Sequence, residues 1–204
     1  MGALDDLQAM FQSHYAAQVS SWESWWNSNT KHGCFCGAGS QCDSPIDGLD
    51  QCCAQHDDDY SAVGISADTM WSIDGFIATR HADRALAQCA AGADIKLDDP
   101  HSSPNAEEYR PHLISLFNFR ADVGDNLAAL QDRYEQLHRA ISDFGSYLLS
   151  SNDQITQGDQ AAIDGAHQHV AYLQSLEAST EQIESGLQAA GVDTDTVRQN
   201  VNLG

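Results

Sequence analysis

The chain has 204 residues, of which 42% are hydrophobic, and this is enough for one or two globular domains. Its formal net charge of −21 argues against nucleic acid as a partner, because phosphate recognition needs Lys and Arg, and it also disfavours anionic membranes. No apolar run approaches the ~18 residues that a membrane span requires. The acidity fits either a high-salt environment, which screens self-repulsion, or an ordinary acidic secreted protein.

The six cysteines all lie within the first 89 residues, which indicates a local disulfide framework and an oxidising compartment. Zinc is a competing interpretation, but Cys34-x-Cys36 and Cys52-Cys53 lack the spacing of zinc ligand pairs. Residues 1–6 contain neither the basic nor the apolar region of a secretory signal. We therefore expect a secreted protein whose signal peptide has been removed ahead of Met1.

The first predicted element is an amphipathic helix over residues 3–27. Its apolar positions recur at helical spacing: Leu4, Leu7, Phe11, Tyr15, Val19, Trp22 and Trp26. Asp5 and Asp6 lie in the first turn, where the helix dipole favours acids. Trp22, Trp25 and Trp26 either anchor at a lipid–water boundary or line a hydrophobic channel, and we favour the channel.

Two helices are predicted next, after a loop rich in Gly and Ser over residues 33–49. The first begins at Asp50 and ends at Gly64. The second is capped by Ser66 or Asp68 and runs to about Ala91. Because the connection is short, the two helices should be antiparallel.

Residues 93–111 contain three prolines and are predicted to be a linker, followed by a long heptad-like apolar pattern from Leu113 to Leu148, with Arg120 as the one polar member. A polar turn over 150–159 separates this from a weaker amphipathic helix over 163–187. We favour an intramolecular helical hairpin over a coiled-coil dimer or a segment that covers the site. His138, His167 and His169 are expected to face solvent rather than to bind a ligand.

His56 is the strongest candidate for catalysis, because Asp57 follows it directly and Cys52 and Cys53 precede it on the same helix. In antiparallel helices, a pairing of Cys52 with Cys89 would place Asp83 beside His56. A carboxylate that orients an imidazole forms a general-base pair, which can take a proton from water for attack on an ester.

The glycine-containing loop suggests a metal site. Gly37 and Gly39 allow backbone carbonyls to turn inward, and Asp57 would add a carboxylate, which together suit a hard cation such as Ca²⁺. The cation would polarise the carbonyl group that is attacked.

These residues resemble the secreted phospholipase A2 family over about residues 30–92. Residues 33–39 read GCFCGAG and residues 50–57 read DQCCAQHD, which are similar to the calcium loop and the catalytic helix of that family. Asp83-Arg84 with Cys89 is similar to the second long helix.

The resemblance implies a role for each matching residue. His56 would be the general base, Asp83 its orienting partner and Tyr60 a hydrogen-bond donor to that aspartate. The backbone oxygens of Phe35, Gly37 and Gly39 and the carboxylate of Asp57 would hold Ca²⁺, and the Gly37 N–H would stabilise the oxyanion. The implied disulfides are Cys36–Cys53, Cys52–Cys89 and Cys34–Cys42.

The chain also departs from the family pattern. Ser40 stands where the loop usually has Gly, and His32 where Tyr is common. Asp59 and Ala82 replace a pair of positions that often form a disulfide, and the connection at 64–68 has no room for the usual β-hairpin. None of these changes removes a catalytic group.

Together these observations predict an all-α fold: a disulfide-linked phospholipase A2-like core of two antiparallel helices plus an N-terminal amphipathic helix, followed by a C-terminal helical hairpin. The predicted domains are residues 1–94, a linker over 95–111 and the hairpin over 112–204. The predicted function is calcium-dependent hydrolysis of the sn-2 acyl ester of glycerophospholipids at a membrane or micelle surface. The alternative is a phospholipase-like interaction protein that binds a protein partner, or itself, through the C-terminal helices.

Overall fold

The described part of the chain, residues 3–28, 32–37 and 43–201 of a computed structural model, is helical and contains no β-strand. An isolated bridge joins His32 and Cys36. The helices are α1 (Ala3–His14), α2 (Ala16–Ser28), α3 (Gly48–Ala62), α4 (Ile73–Gly92), α5 (Ala106–Thr156), α6 (Gln160–Ser175), α7 (Thr180–Ala189) and α8 (Thr194–Asn200). The all-helical class is as predicted. Within these residues, no helix combines the length and apolarity needed to cross a membrane.

The predicted N-terminal helix is divided into α1 and α2 at Tyr15. The backbone bonds from Tyr15 N to Phe11 O and from Val19 N to Tyr15 O continue the helical ladder across the division. On α2, Trp25 stacks on Tyr109 with ring centroids 5.5 Å apart, and Trp26 meets Phe117 edge-on at 5.7 Å. The tryptophans are therefore packed against α5, at the edge of a hydrophobic cluster.

Helices α3 and α4 are antiparallel, because the Cys52–Cys89 disulfide and the His56–Asp83 contact pair them in opposite directions. Asp47 caps α3 by accepting from Asp50 N. The predicted start of α4 at Ser66 or Asp68 is wrong: Ser66 and Thr69 form a hydrogen-bonded turn, and Ser72 caps the helix. The turn satisfies its own backbone groups, so the helix begins later.

Helix α5 begins at Ala106, within the predicted linker, and contains Pro111. Proline lacks an N–H, so Pro111 removes one bond from the ladder without ending the helix. The rest of the linker is also held in place. Leu49 N donates to Asp94 O, Lys96 N to Asp47 Oδ2, and Gly33 N to His101 O.

The chain forms two compact units, residues 1–130 and 131–204, divided within α5. In the first unit, the apolar side chains of the first part of α5, including Leu113, Leu116 and Phe117, pack in one core with those of α3 and α4. This division differs from the predicted domains 1–94, 95–111 and 112–204, which stay a prediction.

The second unit begins with the hairpin of α5 and α6, which is antiparallel because Arg133 reaches Leu176 O and Tyr147 reaches Ala162 O. The predicted second arm does not continue to residue 187, since Glu177 has a positive φ of 58° and Ser179 starts α7 with a capping box. His138 and His167 are exposed, as expected, whereas His169 stacks on Phe144.

Candidate active site

His56 and Asp83 meet between α3 and α4. His56 Nε2 lies 3.0 Å from Asp83 Oδ1, the His56 side chain is 7% exposed and that of Asp83 is 0% exposed. An ionised carboxylate only accepts hydrogen bonds, so Nε2 carries the proton and Nδ1 keeps its lone pair. The Cys52–Cys89 disulfide on the same pair of helices fixes their register.

Asp83 has further partners. Tyr60 donates its hydroxyl to Oδ1 at 2.5 Å, Thr79 donates to Oδ2 at 3.0 Å, and the Nε of Arg120 lies 3.2 Å from Oδ2. Burial, and to a lesser degree the negative charge of Asp83, raises the pKa of Tyr60 well above its usual range, while Arg120 lowers it in part. Tyr60 is therefore a permanent donor to the carboxylate at neutral pH.

Aromatic rings enclose the His56 imidazole. Its centroid lies 4.1 Å from that of Tyr60 and 4.6 Å from that of Phe117, which meets it edge-on. Phe117 belongs to α5 and lies outside the segment in which the sequence indicates candidate residues. The packing limits rotation of the imidazole, as a positioned base requires.

A pocket of about 150 Å³ opens beside His56. Its lining is mostly apolar and combines residues of α2, α3, α4, α5, the loop and the α3–α4 connection: Trp26, Phe35, Gly37, Cys53, His56, Asp57, Tyr60, Ala67, Met70, Leu86, Leu113 and Phe117. An apolar pocket with a few polar groups is typical of a ligand-binding site.

The loop that precedes α3 is organised by Asp50, which is fully buried. Its carboxylate accepts from the backbone N–H groups of Cys34 at 2.8 Å, Phe35 at 2.7 Å, Cys36 at 3.3 Å and Ile46 at 3.1 Å. Sequence reasoning places Asp50 in a motif but assigns it no role. Side-chain-to-backbone bonds of this kind leave no periodic signal, although an acid in the first turn beside a cysteine pair is a clue.

Replacement of Asp50 by Asn is expected to destabilise the protein by ~3 kcal/mol, because an amide can accept fewer of these N–H bonds and turns its own donors toward them. Urea unfolding at pH 7 with the disulfides intact measures the loss. Asp58→Asn is the control, since Asp58 is exposed on the same helix. A decrease of less than about 1 kcal/mol in the free energy of unfolding of Asp50→Asn would show that these four hydrogen bonds do not stabilise the loop.

A second buried histidine–aspartate contact lies beneath the loop. His32 Nε2 is 3.0 Å from Asp47 Oδ2, and Ser103 N donates to His32 Nδ1 at 3.4 Å. Since the Nδ1 atom accepts, the neutral Nε2–H tautomer fits both contacts. His32 thus joins the loop, the cap of α3 and the segment before α5.

Three of the four predicted calcium ligands are described, and Phe35, Gly37 and Asp57 line the same pocket as His56. The carbonyl oxygens of Phe35 and Gly37 accept no hydrogen bond from any described residue. Gly37 has a φ of 121°, a conformation that favours glycine. Gly39 and Ser40 lie outside the described residues.

The Asp57 carboxylate is also suited to a cation. Although the residue is exposed overall, partial desolvation raises the pKa of Asp57 to about 6, with the neighbouring His56 opposing the shift and the charges of Asp58 and Asp50 adding to it. A bound cation would relieve that penalty. No group of three or more His, Cys, Asp or Glu side chains with metal-binding geometry occurs among the described residues. The predicted ligands are chiefly backbone oxygens, the kind of ligand that a hard cation prefers.

The structure contains the disulfides Cys36–Cys53 and Cys52–Cys89, the two pairings that the resemblance implies within the described residues. Cys36–Cys53 fastens the loop to α3. Cys34 is also disulfide-bonded, and its expected partner, Cys42, lies outside the described residues. Cys34–Cys42 therefore stays a prediction.

Comparison with known proteins gives short, strong similarities. The chain is 51% identical over 41 residues to acidic phospholipase A2 6 of Naja sagittifera, covering 20% of the chain and 30% of that protein. It is 53% identical over 34 residues to a basic phospholipase A2 of Micrurus corallinus, covering 17% and 23%. It is also 50% identical over 38 residues to the basic phospholipase A2 beta-bungarotoxin A1 chain of Bungarus caeruleus, covering 19% and 25%.

These matches support a relationship to phospholipase A2. The matched part of the chain spans less than a third of each relative's length. No family model matches the chain, and no solved structure matches it.

Proposed function

We propose that the protein is a secreted, calcium-dependent esterase with a phospholipase A2-like core, which hydrolyses the sn-2 acyl ester of glycerophospholipids. The observation that carries the proposal is the buried His56–Asp83 pair, which opens on a pocket shared with Asp57 and the loop residues Phe35 and Gly37. The proposed base, the proposed oxygen ligands of the cation and the apolar lining thus belong to one cavity. The local similarity to snake phospholipases A2 supports the same activity.

In the proposed reaction, His56 Nδ1 takes a proton from water while the water oxygen forms a bond to the ester carbonyl carbon. Asp83 holds the imidazole in the Nε2–H tautomer and stabilises the imidazolium that forms. The same proton then passes to the sn-2 oxygen of the glycerol as the C–O bond breaks. The products are a fatty acid and a lysophospholipid.

Phe35, Gly37 and Asp57, with Gly39, would hold calcium, which when bound polarises the ester carbonyl and offsets the charge that develops on its oxygen. The Gly37 N–H would donate to that same oxygen. The apolar pocket residues, among them Trp26, Leu113 and Phe117, would contact the acyl chain. With a net charge of −21, the protein is expected to prefer zwitterionic to anionic lipid surfaces.

The test is the release of sn-2 fatty acid from phosphatidylcholine vesicles, measured with calcium and with a chelator. We expect calcium-dependent release, and a loss of at least ~10²-fold in His56→Gln, which removes the base. His81→Gln is the matched control, because His81 is an exposed histidine on α4. Equal rates for wild type and His56→Gln would contradict the general-base assignment. No release from correctly disulfide-bonded wild type would favour the alternative, an interaction protein.

A further inference from the structure

Arg120 is a fully buried charge on α5, with 0% exposure, and it lies outside the segment that resembles phospholipase A2. Its guanidinium carbon lies 4.6 Å from the ring centroid of Phe76 and 5.1 Å from that of Trp71. A cation in such surroundings is costly unless it has a counterion. Its counterion is Asp83, the proposed orienting partner of His56.

The contacts of Arg120 hold its guanidinium in one orientation. NH1 donates to the backbone oxygen of Met70 at 2.8 Å, and NH2 donates to Thr79 Oγ1 at 3.0 Å. Nε lies 3.2 Å from Asp83 Oδ2 but makes no hydrogen bond in the described part of the chain. The guanidinium is therefore held by the hydrogen bonds of NH1 and NH2. It acts on Asp83 through its charge rather than through a directed hydrogen bond.

The two oxygens of Asp83 have different partners. Oδ1 accepts from His56 and Tyr60, whereas Oδ2 accepts from Thr79 and faces Arg120. The cation thus stabilises the carboxylate from the side opposite the imidazole and leaves Oδ1 for the catalytic hydrogen bond. The buried negative charge of Asp83 is thus balanced by the buried positive charge of Arg120.

We propose that Arg120 is a positioning residue for the proposed hydrolysis: it keeps Asp83 ionised and oriented, so that Asp83 fixes His56 in the tautomer with a free Nδ1. The inference rests on the proposed function for its kinetic consequence, but its structural consequence is measurable without any activity. The first part of α5 is then a component of the catalytic apparatus. A phospholipase A2-like segment that ends near residue 92 is incomplete without it.

The experiment compares Arg120→Gln, which removes the charge, with Arg120→Lys, which keeps it. Arg84→Gln is the matched control, because Arg84 forms exposed ion pairs with Asp122 and Asp125 between the same two helices, α4 and α5. The tautomer of His56 is read at pH 7.5 from imidazole nitrogen shifts in ¹⁵N-histidine protein, with the signal assigned by its loss in His56→Gln. Vesicle hydrolysis gives kcat and KM for each variant.

In Arg120→Gln we expect the Nε2–H tautomer to be replaced by Nδ1–H, since a neutral Asp83 can donate its own proton to Nε2. We expect kcat to fall by ~10²-fold with KM changed by less than about 3-fold, because the pocket is retained. Arg120→Lys should keep the Nε2–H tautomer and recover part of kcat, and Arg84→Gln should match wild type.

A purely structural role for Arg120 would lower stability without moving the tautomer. A folded Arg120→Gln protein with the wild-type tautomer and kcat would overturn the proposal. If Arg120→Gln does not fold, Arg120→Lys decides, since loss of the Nε2–H tautomer there, with the charge retained, would also overturn it. If wild type releases no fatty acid, the proposed function fails, while the tautomer measurement still tests Arg120.

Discussion

Deletion of residues 112–204 is expected to abolish folding, whereas deletion of residues 131–204 is expected to leave a folded, active unit. The shorter fragment lacks Leu113, Leu116 and Phe117, which are at most 1% exposed in the intact chain. Burial of three such side chains contributes about 5 to 9 kcal/mol, comparable to the whole stability of a domain. The fragment also lacks Arg120, which would leave Asp83 buried without its cation.

Circular dichroism and the urea midpoint of both fragments, refolded with their disulfides, measure this difference, and vesicle hydrolysis measures activity. The fragment of residues 1–130 is the matched control, because it ends where the first compact unit ends. A stable, active fragment of residues 1–111 would contradict the assignment of α5 to the catalytic unit. Higher activity of residues 1–130 than of the full chain would support a regulatory role for the C-terminal helices.

The meeting of His56 and Asp83 was predictable because antiparallel helices keep a fixed register. The Cys52–Cys89 disulfide sets the register of α3 and α4, and this register determines which residues face each other along the interface. His56 and Asp83 both lie on the facing sides. Asp57 lines the same pocket because it follows His56 directly on α3, while its role as a calcium ligand stays a prediction. The all-helical class followed from apolar periodicity, which is strong in long segments and does not depend on tertiary contacts.

The boundaries and the supporting residues were less predictable, for physical reasons. Pro111 suggested a linker because proline usually ends or kinks a helix, but α5 continues through it from Ala106. Glu177 follows the end of α6 and has a left-handed backbone conformation that few non-glycine residues adopt. The residue type at this position therefore does not predict the end of the helix. Asp50 accepts from backbone groups of the loop, whereas His32 contacts the Asp47 carboxylate and Ser103 N. Bonds of both kinds depend on the folded path of the chain.

The sequence does contain an indication that Arg120 is paired. Arg120 is the one polar residue in an otherwise apolar seam, and a charged residue at a buried position implies a buried partner of opposite charge. Asp83, the carboxylate predicted to lie beside His56, is the natural candidate. If Arg120 pairs with Asp83, the first part of α5 must pack against α4. Charge and apolar periodicity in the sequence are enough to predict this contact.

Gly124 explains how α5 comes close enough for that pairing. A Cβ atom at this position would lie 2.3 Å from the backbone oxygen of Phe76, so the two helices approach at a residue without a side chain. The approach places Arg120 within reach of Met70, Thr79 and Asp83. Close packing and charge pairing in this region therefore depend on each other.

Replacement of Asp83 by Asn is expected to have the largest effect on catalysis of any change outside His56. The amide can donate to Nε2, which would place the proton on Nδ1 and remove the base, so we expect kcat to fall by at least ~10²-fold. It would also leave Arg120 buried without a counterion, at a cost of about 3 to 5 kcal/mol in stability.

The two effects of Asp83→Asn are separated by measuring kcat well below the unfolding midpoint, with Asp122→Asn as the control because Asp122 pairs with Arg84 at the surface of the α4–α5 interface. Combining Asp83→Asn with Arg120→Gln removes both buried charges. Stability should then recover in part, because no unpaired charge remains, whereas kcat should not, because no carboxylate is left to orient His56. Recovery of kcat in the double variant, or a kcat within about 10-fold of wild type in Asp83→Asn alone, would show that Asp83 supports the fold rather than the base.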